Sequence, residues 1–220
     1  MNKTIKRTLA IVMAVAMLFA LSATAFADSD ITVYVTIQKA NVPTGNAWNY
    51  TLGDLTVTET YATAVAVQVP AGSTVKDVVE AMSGVTIVNS CSCGACGTHT
   101  TYGCTCSNDT CTCTWKQVEN YTWNGSAFVP AGTYSSAMNS LQYTYFNPES
   151  EEDTTVILTN SSSYAQEGNY TRYTGNSWEY FTAASSSGAN VYSNTEYMSQ
   201  FEVSDGLYIT LSYDYSTFVY

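Results

Sequence analysis

Positive charge is what this sequence most lacks. Its 220 residues hold 7 Lys and Arg against 18 Asp and Glu, and a single His. Three of the cations, Lys3, Lys6 and Arg7, stand in a basic leader. The apolar run Leu9 to Leu21 and the small-x-small site Ala25-Phe26-Ala27 follow it, which is the pattern of a secretory signal peptide over residues 1–27. Residues 28–220 then keep only Lys39, Lys76, Lys116 and Arg172 against all 18 acids. So few cations cannot form a basic patch, which excludes binding to nucleic-acid phosphates and adsorption to anionic lipid. Long apolar runs are lacking too. A spanning helix needs about 20 apolar residues, and no segment beyond the leader approaches that, so no membrane span is expected after cleavage. The one histidine, His99, and the absence of a Gly-x-Ser-x-Gly motif leave nucleophilic catalysis little support. The expectation is a secreted, extracellular protein that is not an enzyme.

What is present is β-branched, polar and aromatic, with 18 Tyr. Ile31 to Gln38 alternates apolar and polar residues with the period of a half-buried strand, and Thr56 to Val69 repeats the pattern, Val65, Val67 and Val69 sharing a face. Pro70-Ala71-Gly72 breaks that strand. The spacing of Val75, Val78, Val79 and Met82 predicts one helix, started by Ser73 or Thr74 with Asp77 and ended at Gly84. Val85 to Val88, Trp115 to Trp123, Ser126 to Val129, Leu141 to Phe146, Thr155 to Leu158 and Trp178 to Phe181 read as further strands. Asn124-Gly125 is a strong hairpin signal. Pro130 to Thr133 reads as a short helical or irregular piece. Asp205-Gly206 turns into a last strand in which Leu207, Ile209, Leu211 and Tyr213 share a face.

Two strands, a packed helix and a returning final strand are the β-grasp order. The residues that carry a closer resemblance are Ile31–Ile37, Val69 to Val75 with Asp77, Trp178-Glu179-Tyr180, and Val203 to Gly206 with Ile209 and Tyr213. Together they resemble an exported bacterial domain family of unknown function that is similar to the C-terminal β domain of transcobalamin and intrinsic factor. The resemblance implies an α+β, ubiquitin-like β-grasp sheet packed on one helix. On that reading residues 28–220 form one domain with a core over approximately 31–83 and 176–213. A long inserted β-hairpin region, approximately 85–170, carries a Cys-rich loop at 91–113. It also implies ligand binding, of a corrinoid-like molecule, rather than catalysis.

The least random feature is seven thiols within 23 residues: Cys91, Cys93, Cys96, Cys104, Cys106, Cys111 and Cys113. Export favours a disulfide-stapled loop, with three bridges and one thiol over. The competing reading is a metal site, in which the Cys-x-Cys pairs, Cys96 and His99 supply soft ligands to zinc or copper(I). Both stay open on the sequence.

The aromatics Trp48, Tyr50, Trp178 and Tyr180 are the candidate ligand-binding residues, since such rings bury much area at low entropic cost; Tyr192 and Tyr197 are further exposed-looking rings. Cross-strand pairing explains rings of this kind equally well. The expected work is extracellular binding of a small molecule or a cell-surface partner. Metal capture by the Cys cluster, or a structural role in the envelope, are the alternatives.

Overall fold

A computed structural model describes residues 29–45, 50–91, 99–106 and 110–219. The expected signal peptide, Trp48, Cys93 and Cys96 lie outside the described residues. Contacts divide the chain into Met1–Asp30 and a second unit, Ile31–Tyr220, and the description below concerns the second.

The protein is mostly β-sheet, with open sheets and one α-helix among the described residues. Strand β1 is Asp30–Asn41, β2 is Thr56–Pro70, and α1 is Val75–Ala81. Short strands β3 (Val85–Thr86), β4 (His99–Thr100) and β5 (Gly103–Cys104) follow. Then come β6 (Trp115–Trp123), β7 (Phe128–Met138), β8 (Ser140–Asn147) and β9 (Glu152–Thr159). Strands β10 (Ser161–Glu167), β11 (Tyr170–Ala183) and β12 (Tyr208–Val219) complete the order. The strands form three sheets, ordered β10-β11-β12-β1-β2, β3-β8-β9 and β4-β5-β6-β7.

In the five-stranded sheet β1 lies beside β12 and parallel to it, in register from Tyr34↔Tyr208 to Asn41↔Tyr215. The alternation in β1 decides its faces. Val33, Val35 and Ile37 are fully buried on one side, with Ile209 and Leu211 from β12 and Trp178 and Tyr180 from β11. The α1 stripe Val75, Val78, Val79 and Met82 belongs to the same cluster. Helix α1 is short, and its start is secured. Thr74 and Asp77 form a reciprocal capping box, while the N–H groups of Val75 and Lys76 donate to the carbonyls of Phe201 and Met198. Those are the donors that a helix start otherwise leaves unmet.

Leu141 and Tyr143 of β8, with Trp115 and Met138, join this core too, so β8 and the inner ends of β6 and β7 pack onto the five-stranded sheet. Two local expectations are corrected. Residues 130–133, read as helical or irregular, continue β7, which bulges between Tyr134, opposite Glu119, and Pro130, opposite Tyr121. The strand from Val85 ends at Thr86, where Val88 instead exchanges hydrogen bonds with Thr114. The Ser- and Asn-rich stretch before Gly175 forms β10 and the start of β11, paired antiparallel from Ser161↔Asn176 to Glu167↔Tyr170.

Candidate functional site

The second face of the five-stranded sheet carries a different population. Gln38 and Ala40 of β1, Ser177, Glu179 and Phe181 of β11, and Ser212, Asp214 and Ser216 of β12 alternate with the core residues and fall together here. The register places Glu179 opposite Ser212 and Ser177 opposite Asp214. Ala40 and Phe181 form a small apolar cluster with Tyr50 and Leu55. Beyond it, toward β10, the face opens into a cleft of about 860 Å³ lined by Val42, Tyr50, Tyr164, Tyr173, Ser177, Glu179, Tyr192, Ser193, Asn194, Thr195, Ser216 and Phe218.

One wall is an aromatic ladder. Tyr164, Tyr173 and Phe218 sit opposite one another on β10, β11 and β12. Tyr173 stacks on Phe218 at 4.8 Å between centroids, and Tyr164 meets Tyr173 edge-on at 5.5 Å. Gly175, the next residue of β11 on this face, leaves the space over which Tyr173 lies: a Cβ there would come 2.5 Å from the Tyr173 hydroxyl. The opposite rim is held by backbone. The N–H groups of Leu52 and Gly53 donate to Val191 and Ala189 carbonyls, and Thr51 bridges to Tyr192. Asn194 donates to the Tyr180 carbonyl on the edge of β11 that β10 leaves uncovered.

The floor is acidic and dry. Asp214 is buried (1% exposed); it accepts from the Ser212 hydroxyl and, at 3.1 Å, from Tyr50 Oη. Gln38 Nε2 donates to Ser212 Oγ at 3.2 Å, and Ser193 Oγ donates to Glu179 Oε2 at 2.6 Å. Burial pushes the Asp214 carboxyl up to about 6, the Ser212 and Tyr50 hydrogen bonds opposing it and the Glu179 charge adding to it. Burial raises Glu179 as well, against the Ser193 bond. The Tyr50 phenol is driven far above its usual range by burial first and by the Asp214 and Glu179 charges next. Among the described lining residues there is no Lys, Arg or His. Of the four cations in the described chain, Lys39, Lys76 and Arg172 pair with Glu59, Glu80 and Glu167.

The candidate ligand-binding residues therefore separate. Tyr50 is in the cleft. Trp178 and Tyr180 are on the other face, in the principal core, where the Trp178 indole N–H donates to the Leu158 carbonyl and Tyr180 Oη to that of Glu196. Glu179, Asp214, Tyr164, Tyr173 and Phe218 were not singled out by the sequence. Glu179 carried a usable signal, since it lies between Trp178 and Tyr180 and must face away from both.

A second constellation gathers the thiols. Cys104, Cys106, Cys111 and Cys113 are buried and form a cluster of sulfur side chains alone, with Cys91 packed against it. The Sγ atoms of Cys104, Cys106 and Cys111 lie within 4.8 Å of one another, as do the ligand atoms of His99, Cys104 and Cys113. These groups are arranged so that they could hold a metal ion. Burial, with hydrogen bonds to Cys113 and Cys104 adding to it and one from the Cys113 backbone opposing it, pushes the Cys111 thiol up to about 12.

Compared with protein-family models, with curated proteins and with solved structures, the chain matches none of them.

Proposed function

We propose that this chain is a secreted, non-catalytic binding module of the bacterial exterior, built on a β-grasp sheet, that takes a small organic molecule into the aromatic cleft. The parallel neighbours β1 and β12, β2 on the other side of β1, and the valine stripe of α1 in the core beneath them support the β-grasp reading. One observation carries the functional reading. Five rings, Tyr50, Tyr164, Tyr173, Tyr192 and Phe218, converge on a cleft of about 860 Å³, a volume ordinary for small-molecule sites.

The rings offer flat apolar contact, and the Glu179 carboxyl, which lines the cleft, accepts hydrogen bonds, so the favoured ligand has an extended ring face and N–H or O–H donors at its edge. A corrinoid, the class implied by the resemblance to the transcobalamin domain, is a flat macrocycle rimmed by amide N–H donors and fits that description. The hydroxyls nearest the acids, Ser193 and Ser212, donate to them, and the one imidazole, His99, is in a different sheet. That arrangement favours holding a ligand over activating a nucleophile.

Equilibrium dialysis of the full chain against cyanocobalamin and against a panel of aromatic amines tests this. Saturable binding by at least one of them, weakened about tenfold or more in Tyr173→Ala and Phe218→Ala, is the expected result. No binding of any member at high micromolar concentration would overturn the reading.

A further inference from the structure

The geometry points to a structural zinc site formed by Cys104, Cys106, Cys111 and Cys113, separate from the cleft and independent of what the cleft binds. Three sulfurs, those of Cys104, Cys106 and Cys111, share one spot. The fourth stands beside the trio: Cys113 Sγ is within 4.8 Å of Cys104 Sγ and of a His99 ring nitrogen. A tetrahedral zinc with metal–sulfur bonds of about 2.3 Å puts neighbouring sulfurs about 3.8 Å apart. Cys104 and Cys111 are 3.7 Å apart, sulfur to sulfur. An S–S bond is about 2 Å and joins sulfurs in pairs; here one sulfur, Cys104, is shared among three others, as in a coordination polyhedron.

The surrounding backbone is built to hold that polyhedron. The Cys106 N–H donates to Cys104 Sγ at 3.2 Å, the kind of outer bond that steadies a ligating thiolate. Asn139 Nδ2 donates to the carbonyls of Cys111 (2.8 Å) and Cys113 (3.0 Å), fixing the second Cys-x-Cys arm to the end of β7. Cys104 is fixed to the start of β6 by its parallel bridge to Lys116. The approach is so close that a Cβ at Gly103 would lie 2.5 Å from the Trp115 carbonyl oxygen. Among the described residues no aliphatic or aromatic side chain belongs to the sulfur cluster. A zinc at the trio would take Cys113, the thiol that shares Cys104 with it, as fourth ligand; such a closed set marks a structural rather than a catalytic ion, and an all-sulfur tetrahedral set selects zinc among common divalent metals. His99 is exposed and is grouped with Cys104 and Cys113, outside the trio of Cys104, Cys106 and Cys111.

The full chain purified with reductant should carry one equivalent of zinc by native mass spectrometry. Replacing that zinc with cobalt should give sulfur-to-metal charge-transfer bands and the strong visible absorption of a tetrahedral centre. Cys104→Ser should weaken cobalt binding beyond the roughly 10–100-fold that an outer-shell change costs. Cys91→Ser and His99→Ala should leave the spectrum as it is. Alkylation without reductant should label the four thiols after chelation and spare them before it, a readout that needs no variant to fold. Absence of bound zinc, failure of the four to label until reductant is added, or loss of the cobalt spectrum in Cys91→Ser or His99→Ala would each overturn the assignment.

Discussion

Tyr50 Oη donates a hydrogen bond to the buried carboxylate of Asp214 across 164 positions of sequence, joining the loop before the 3-10 turn at Leu52–Asp54 to the middle of β12. With Gln38 and Ser212 it makes a polar layer on the sheet face opposite the one that packs Val33, Val35, Ile37, Ile209 and Leu211 into the principal core. That layer governs the response of the protein to pH.

The Asp214 carboxyl is raised from 3.8 to about 6 by burial, so the folded state keeps its proton longer than the unfolded chain. The sign follows for this group: its contribution to stability is full below about pH 4, falls as pH rises through the window from about 4 to about 6, and has lost about 3 kcal/mol above it. Glu179 is shifted in the same direction and steepens the fall. Urea midpoints between pH 4 and 8 should decline across that window. In Asp214→Asn, which stays uncharged and can still accept from Tyr50, the decline should be mostly gone; an unchanged slope would show that the carboxyl is not the titrating group.

Gly175 should tolerate no side chain. A Cβ there meets the Ser161 carbonyl as well as the Tyr173 hydroxyl, so Gly175→Ala must push β10 or the Tyr173 ring aside. About 1–3 kcal/mol of stability and the aromatic ladder should be lost together, read by denaturation and by near-ultraviolet circular dichroism.

Leu141 is fully buried in the main core although it comes from β8. Leu141→Ala should cost about 2–5 kcal/mol and shift one cooperative unfolding transition. Two transitions, only the lesser one shifted, would mean that the sheets fold separately.

Thr74→Ala removes the side-chain half of the capping box, in which Thr74 Oγ1 accepts from the Asp77 N–H and donates to its carboxylate. About 1 kcal/mol should be lost, seen as a lower urea midpoint with unchanged slope.

The helix and the inner strands were legible because their signal is periodic and their faces are unambiguous. Val75, Val78, Val79 and Met82 are all buried, as the stripe predicts, and β1 and β12 bury the residues that alternation assigns to one side. Strand β10 was not legible: all seven of its residues are exposed, so no apolar period marks it. Residues 130–133 of β7 were misread because Pro130 and Gly132 signal a break, which a bulge within β7 absorbs. The cleft escaped for a subtler reason. Alternation tells which residues share a face, and Gln38, Glu179, Ser212 and Asp214 do share one; it does not tell whether a polar face meets water. Here Tyr50, the Ala189–Thr195 segment and the ladder cover it. In the sulfur cluster, spacing shows that thiols are dense, whereas their convergence depends on Gly103 and Asn139, which nothing in the spacing of cysteines reveals.

The side-by-side placement of β1 and β12 sets an order of events during synthesis. Gln38 meets Ser212 174 positions later, so the middle of the principal sheet stays unzipped until nearly the whole polypeptide has emerged. Closure over such a separation is slow. Until β12 arrives, β1 lacks its parallel neighbour, and the buried Gln38–Ser212 contact between them cannot form.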